Sequence, residues 1–254
     1  MKKRKLAVIL AAVLTSVTMA ACESTSVPEA GACGLRRRRE SKVKAFRTFA
    51  GGILAGVSIA IGGTVFLSLD SKVLGALFFT VGLFAVCTFG FNLYTGKVCY
   101  VFDQDGKYAL NLPLIWLGIL AGAFLTALAE RATRIGPALE EKARMICEVK
   151  LNDGLVSIFF LSVFCNMLIW LAVEGFKNNP HPAGKYLSLF FGVAVFILCG
   201  FEHCVANMYY FSAAGLWSWK TLAWVLVMTL GNSAGGVFFP LMRRLQAGKK
   251  PGNG

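Results

Sequence analysis

Residues 199–210, CGFEHCVANMYY, decide how this sequence is read. Glu202 and His203 stand side by side within Tyr186–Trp219, a stretch that carries no other charged residue and no other histidine. At 34 residues it is also too long for one apolar helix crossing a bilayer, which takes roughly 20 residues. The pair therefore marks a point where a membrane helix breaks and where polar groups are needed.

Working outward, the chain is cut by its charges into further uncharged stretches: Thr48–Leu69, Val73–Gly96, Tyr108–Ala129, Gly154–Val173 and Thr221–Met242. Each fits one span of the ~30 Å hydrocarbon core. The composition agrees, with 56% hydrophobic and 15% charged residues against about a quarter charged in soluble domains, and a mean hydropathy of +0.64. The sequence predicts an all-α membrane protein of six transmembrane helices.

The net charge of +13 does not indicate nucleic-acid binding, because the basic residues lie beside and between spans, where Lys and Arg favour the cytoplasmic side. Arg36–Arg39 with Lys42, Lys44 and Arg47 precede the first span, and Arg243, Arg244, Lys249 and Lys250 follow the last. Both ends of the spanning domain are expected in the cytoplasm, which requires an even number of spans, and six satisfies it. The segment from Glu130 to Asp153 should then lie outside, although it holds Arg131, Arg134, Lys142, Arg144 and Lys150. The expected site is a bacterial-type inner membrane, with the bilayer itself as a partner.

Residues 1–41 form a separate segment. MKKRKLAVILAAVLTSVTMAAC has the basic start, apolar run and small residues of an export signal, with Cys22 in a loose lipoprotein box. A cleaved signal would leave Arg36–Arg39 on the wrong side of the first span. An N-terminal extension, an early start, a signal or lipid anchor, and an extra span all stay open. Residues 42–245 are expected to form the six-helix transmembrane domain and 246–254 a tail.

Two motifs recur in order. Gly90-Phe91-Asn92 returns as Gly200-Phe201-Glu202 after 110 residues, and LGILAG at Leu117–Gly122 returns as LGNSAG at Leu230–Gly235 after 113. Spans one to three thus correspond to spans four to six. Each half has an odd number of spans, so the halves insert with opposite orientation. Such inverted repeats are typical of transport proteins, with discontinuous helices around a path near the midplane. Spans two and five are the interrupted ones. The glycines of spans one, three and six favour close helix packing.

Among polar groups at membrane depth, His203 is the candidate centre, against the plainer reading of a packing histidine tied to backbone. Glu202 either caps backbone groups at the break or lines a path, capping being preferred. Thr95 and Asn166 add neutral hydrogen-bonding groups. Of eight cysteines, Cys87, Cys165, Cys199 and Cys204 fall in spans, where free thiols act as small hydrophobes. There is no CxxC pair, and His203 has no second histidine to share a haem, so no metal or cofactor is expected.

These stretches resemble the formate/nitrite transporter family, which includes hydrosulfide channels. The resemblance rests on GFEHCVANMYYF, on FCNMLIWLAV (Phe164–Val173), on NLYTG (Asn92–Gly96) and on GNSAGGVFF (Gly231–Phe239), and runs from about Lys42 to Leu245. It implies an aquaporin-like homopentamer with one pore per protomer. By position it makes His203 the pore histidine, Thr95 the loop threonine, Asn166 the fourth-helix asparagine and Lys150 an anion-attracting vestibule lysine. It makes Phe79, Leu83 and Phe196 the apolar constrictions. Glu202, Asn92 and Asn207 are expected to support the breaks. Asn92 departs from the acidic residue common at its position. The implied activity is passive, pH-sensitive passage of small weak-acid anions together with a proton, not catalysis. The alternatives are a neutral-solute pore of aquaporin type, disfavoured because the breaks are not Asn-Pro-Ala, and a membrane redox or metal protein using Cys199, His203 and Cys204.

Overall fold

A computed structural model describes residues 30–247, with side chains from residue 39. The signal-like segment up to residue 29 and the tail from 248 lie outside the described residues. The chain divides into two units, 1–42 and 43–254. Only the opening of the first helix belongs to the described part of the first unit, and everything below concerns the second.

The described residues are helical and run α1 (Ala30–Ser68), α2 (Lys72–Phe89), α3 (Tyr94–Val98), α4 (Gly106–Ala109), α5 (Leu112–Arg131), α6 (Gly136–Leu151), α7 (Leu155–Asn178), α8 (Pro182–Leu198), α9 (Cys204–Ala214) and α10 (Trp219–Ala247). Five stretches are long and apolar enough to span a bilayer: Arg39–Ser68, Lys72–Phe89, Gly106–Arg131, Leu155–Asn178 and Trp219–Ala247. The protein is a multi-pass membrane protein. The overlong stretch Tyr186–Trp219 resolves into two half-helices, α8 and α9, separated by residues 199–203. Span two breaks in the same way between α2 and α3.

The two breaks are built alike, atom for atom. Gly90 (φ 70°) and Gly200 (φ 71°) adopt the left-handed conformation that ends α2 and α8. Phe91 N–H then bonds the Val86 carbonyl at 3.0 Å, and Phe201 N–H bonds the Phe196 carbonyl at 2.9 Å. Asn92 N–H reaches the Gly51 carbonyl of α1 at 3.1 Å, as Glu202 N–H reaches Leu161 of α7 at 3.2 Å. All five of these residue correspondences have the same spacing of 110. Backbone freed at membrane depth is thus re-satisfied by the neighbouring helix.

Helix packing repeats too. A Cβ added at Gly118 or Gly122 of α5 would strike the carbonyls of Phe49 and Ile53 on α1. At Gly231 and Gly235 of α10 it would strike those of Phe159 and Val163 on α7. Small residues let these backbones touch, which substitutes for the hydrophobic drive that lipid surroundings remove. The segment from Glu130 to Asp153 contains a helix, α6, whose Leu139, Ala143 and Cys147 are buried at helical spacing.

Candidate functional site

The two breaks meet at one hydrogen bond. Thr95, on the first turns of α3, places Oγ1 3.0 Å from Nε2 of His203, the residue that precedes α9. Both side chains are buried, Thr95 at 0% and His203 at 2% exposure. The other ring nitrogen is committed: His203 Nδ1 accepts from Ala206 N–H at 3.3 Å, capping α9. An amide N–H can only donate, so Nδ1 carries no proton and the ring proton sits on Nε2. His203 therefore donates to the Thr95 hydroxyl. A second proton at Nδ1 would face the Ala206 N–H and cost α9 its cap.

This corrects the capping role expected of Glu202. The helix is capped by His203, while Glu202 turns to Lys150, whose Nζ donates to both carboxylate oxygens at 2.8 and 2.7 Å. Side-chain exposures of 13% and 5% make it a buried ion pair. Asn207 Nδ2 completes the cluster, donating to Glu202 Oε2 at 2.8 Å and to the His203 carbonyl at 2.9 Å. Lys150, expected as an anion-attracting vestibule lysine, thus has its ammonium in contact with a carboxylate.

Asn166, on α7, donates through Nδ2 to the Thr95 carbonyl at 3.1 Å and to the Asn232 carbonyl at 2.6 Å. It holds the backbone of α3 against α10. Asn92 Nδ2 donates to the Thr48 carbonyl at 3.2 Å, tying the first break to α1.

Asn232 is a site residue that the sequence reading missed. Its Oδ1 accepts from Cys204 N–H at 2.8 Å, and its Nδ2 donates to the carbonyls of Ser162 at 2.7 Å and Glu202 at 2.8 Å. One amide therefore ties down both sides of the second break. A signal for it existed: within the repeated LGxxAG, Asn232 stands where the first half has Ile119, a polar departure inside an apolar motif. Of the thiols in the redox alternative, Cys199 is exposed at the end of α8 while Cys204 is buried.

A cavity opens beside each break. One, of about 330 Å³, is lined by Leu83, Leu93, Lys97, Tyr100 and Lys177 among others. The other, of about 280 Å³, is lined by Lys72, Lys150, Phe196, Glu202, His203 and Asn207 among others. Phe79, Leu83 and Phe196 are at most 3% exposed. The Phe79 and Phe196 rings meet edge to face, 6.1 Å apart, and Phe196 lies 5.5 Å from the His203 ring. Leu83 lines the first cavity and Phe196 the second, and the two share no lining residue.

Comparison with known proteins gives the arrangement its context. The family model described as formate/nitrite transporter matches residues 32–244. The chain belongs to the formate/nitrite transporter family. It is similar to the uncharacterized transporter YrhG of Bacillus subtilis, at 30% identity over 66% of this chain and 69% of that one. It is similar to the formate channel BtFdhC of Bacillus thuringiensis, at 30% identity over 66% and 70%. Among solved structures it resembles a pentameric formate channel with formate bound, with a TM-score of 0.69 and 25% identity, covering 81% of this chain and 98% of that one. The all-helical membrane fold is shared with that structure.

Proposed function

We propose that this protein is a passive, pH-sensitive channel for small monovalent weak-acid anions such as formate, nitrite or hydrosulfide, carried with a proton. It works as a homopentamer in a bacterial-type inner membrane, with both ends of the channel domain in the cytoplasm. The observation that carries the reading is the Thr95–His203 hydrogen bond; in this reading the two cavities are the mouths of the path, and Phe79, Leu83 and Phe196 form the constriction between them.

An anion entering the constriction loses its hydration, and Phe79, Leu83 and Phe196 offer no donor in return. An unpaired charge there is too costly to occupy the space for long. Loss of water also favours the neutral form of an acid, so the anion's basicity rises as it enters. Formate plus one proton becomes formic acid, which carries no charge past the aromatic rings. With Nδ1 engaged by Ala206, His203 acts from Nε2: its N–H leaves the Thr95 hydroxyl and hydrogen-bonds the incoming anion. The proton arrives through water of the mouth and is released on the far side. The Lys150–Glu202–Asn207 cluster holds the break, and so the imidazole, in position.

Flux into liposomes tests this. Purified protein should transport formate, nitrite or hydrosulfide down their gradients, faster as pH falls and with no net current. Flux no greater than that of empty liposomes for every weak acid tried would refute the assignment.

A further inference from the structure

The two mouths are equivalent places in the two halves of the repeat, yet they differ in charge. At the spacing of 110, Gly90, Leu93, Lys97 and Tyr100 of one match Gly200, His203, Asn207 and Tyr210 of the other. In the mouth beside His203, Lys150 is neutralised by Glu202. Lys72, also at that mouth, donates to the Leu198 carbonyl at the end of α8 at 3.0 Å. The opposite mouth is lined by two lysines, Lys97 and Lys177, and by no acidic residue.

Neither of these lysines forms an ion pair with a carboxylate among the described residues. Lys97 has no hydrogen-bond or ion-pair partner through its ammonium among the described residues. Its backbone is held, since Tyr108 OH donates to its carbonyl at 2.9 Å. Lys177 lies 4.1 Å above the Tyr100 ring. The nearest acid along the helix, Glu174, is already taken by Tyr100 OH at 2.9 Å, Asn178 at 2.8 Å and Arg243 at 3.2 Å. Two like charges facing one small cavity repel each other, and one anion between them relieves both the repulsion and the missing partners.

We propose that the mouth lined by Lys97 and Lys177 is an anion-binding site for small monovalent carboxylates and oxyanions. This site, rather than Lys150, sets substrate capture, and that second clause rests on the channel reading above. The site lies outside the constriction, on the Leu83 side. It therefore also takes anions that cannot pick up a proton, and these compete from that face without passing.

The test is 13C-formate NMR on the detergent-solubilised protein. Formate should broaden with wild-type protein, chloride should reverse the broadening, and Lys97→Gln with Lys177→Gln should abolish it, while Lys97→Arg retains it. In liposomes, Lys97→Gln should lower flux several-fold at low formate, with the loss shrinking as formate rises. Absent broadening with wild-type protein, unchanged broadening in the double variant, or a flux loss equal at every formate concentration would each overturn the proposal. Wild-type protein that binds formate but passes none would remove the channel reading and leave the site standing.

Discussion

Replacing Lys150 by Met tests whether its charge serves to hold the second break or to draw anions from afar. The substitution keeps the apolar stem and removes the ammonium that donates to Glu202 at 2.8 and 2.7 Å. Glu202, 4% exposed, is then left with Asn207 Nδ2 and no cation. Breaking a buried pair from one side costs about 3–5 kcal/mol, because the surviving charge stays desolvated. Removing both charges, with Lys150→Met and Glu202→Gln together, should recover most of that loss, since Gln can still accept from Asn207. A double-mutant cycle should thus show a coupling energy of about 2 kcal/mol or more, well above the few tenths expected of independent sites. The measurement is reversible unfolding in SDS, with formate flux followed in parallel. At the site itself, loss of the pair should loosen the turn that positions His203, so flux should fall alike at high and low ionic strength. A long-range field would instead fade with salt, since the Debye length is about 10 Å at 0.1 M. Unchanged stability of Lys150→Met, or a flux loss confined to low salt, would refute the reasoning.

Four further outcomes follow from the geometry. His203→Asn keeps an acceptor for the Ala206 N–H and so should assemble normally, yet lacks Nε2–H; weak-acid flux should collapse or lose its pH response, and an unaltered pH profile would count against His203. Leu83→Ala with Phe196→Ala should admit water and let chloride carry current in planar bilayers, while the unmodified channel excludes it; large chloride currents through the unmodified protein would overturn the neutral-acid mechanism. Gly235→Val should cost at least about 1–3 kcal/mol as an overpacked helix contact, because its Cβ meets the Val163 carbonyl; unchanged SDS resistance would show that α7 and α10 can separate freely. Hydrogen bonds from Arg144, joined by Arg131, hold the Glu140 carboxyl on α6 below its ordinary value of 4.5; its stabilising share is present above that value and lost as pH falls through the lower, folded one, so Glu140→Gln should differ from wild type at neutral pH and converge with it in acid.

Much of this architecture is legible along the chain because membrane depth is a one-dimensional constraint. Runs of apolar residues between charges had to be spans, and the 34-residue run around Glu202 and His203 had to break. The 110-residue recurrence of Gly-Phe-Asn and Gly-Phe-Glu had to reflect a repeated break, since only glycine turns there without strain. What the sequence could not determine was the pairing of polar groups, because partners at membrane depth lie on helices remote in sequence. Lys150 meets Glu202 across 52 residues, and Asn232 reaches back 70 residues to Ser162. An isolated lysine in a sequence reads as a free charge, and an acid beside a helix break reads as its cap. Only the tertiary structure put the two in contact, gave the cap to His203, and left Lys97 and Lys177 as the cations without a carboxylate partner in the mouth that they line.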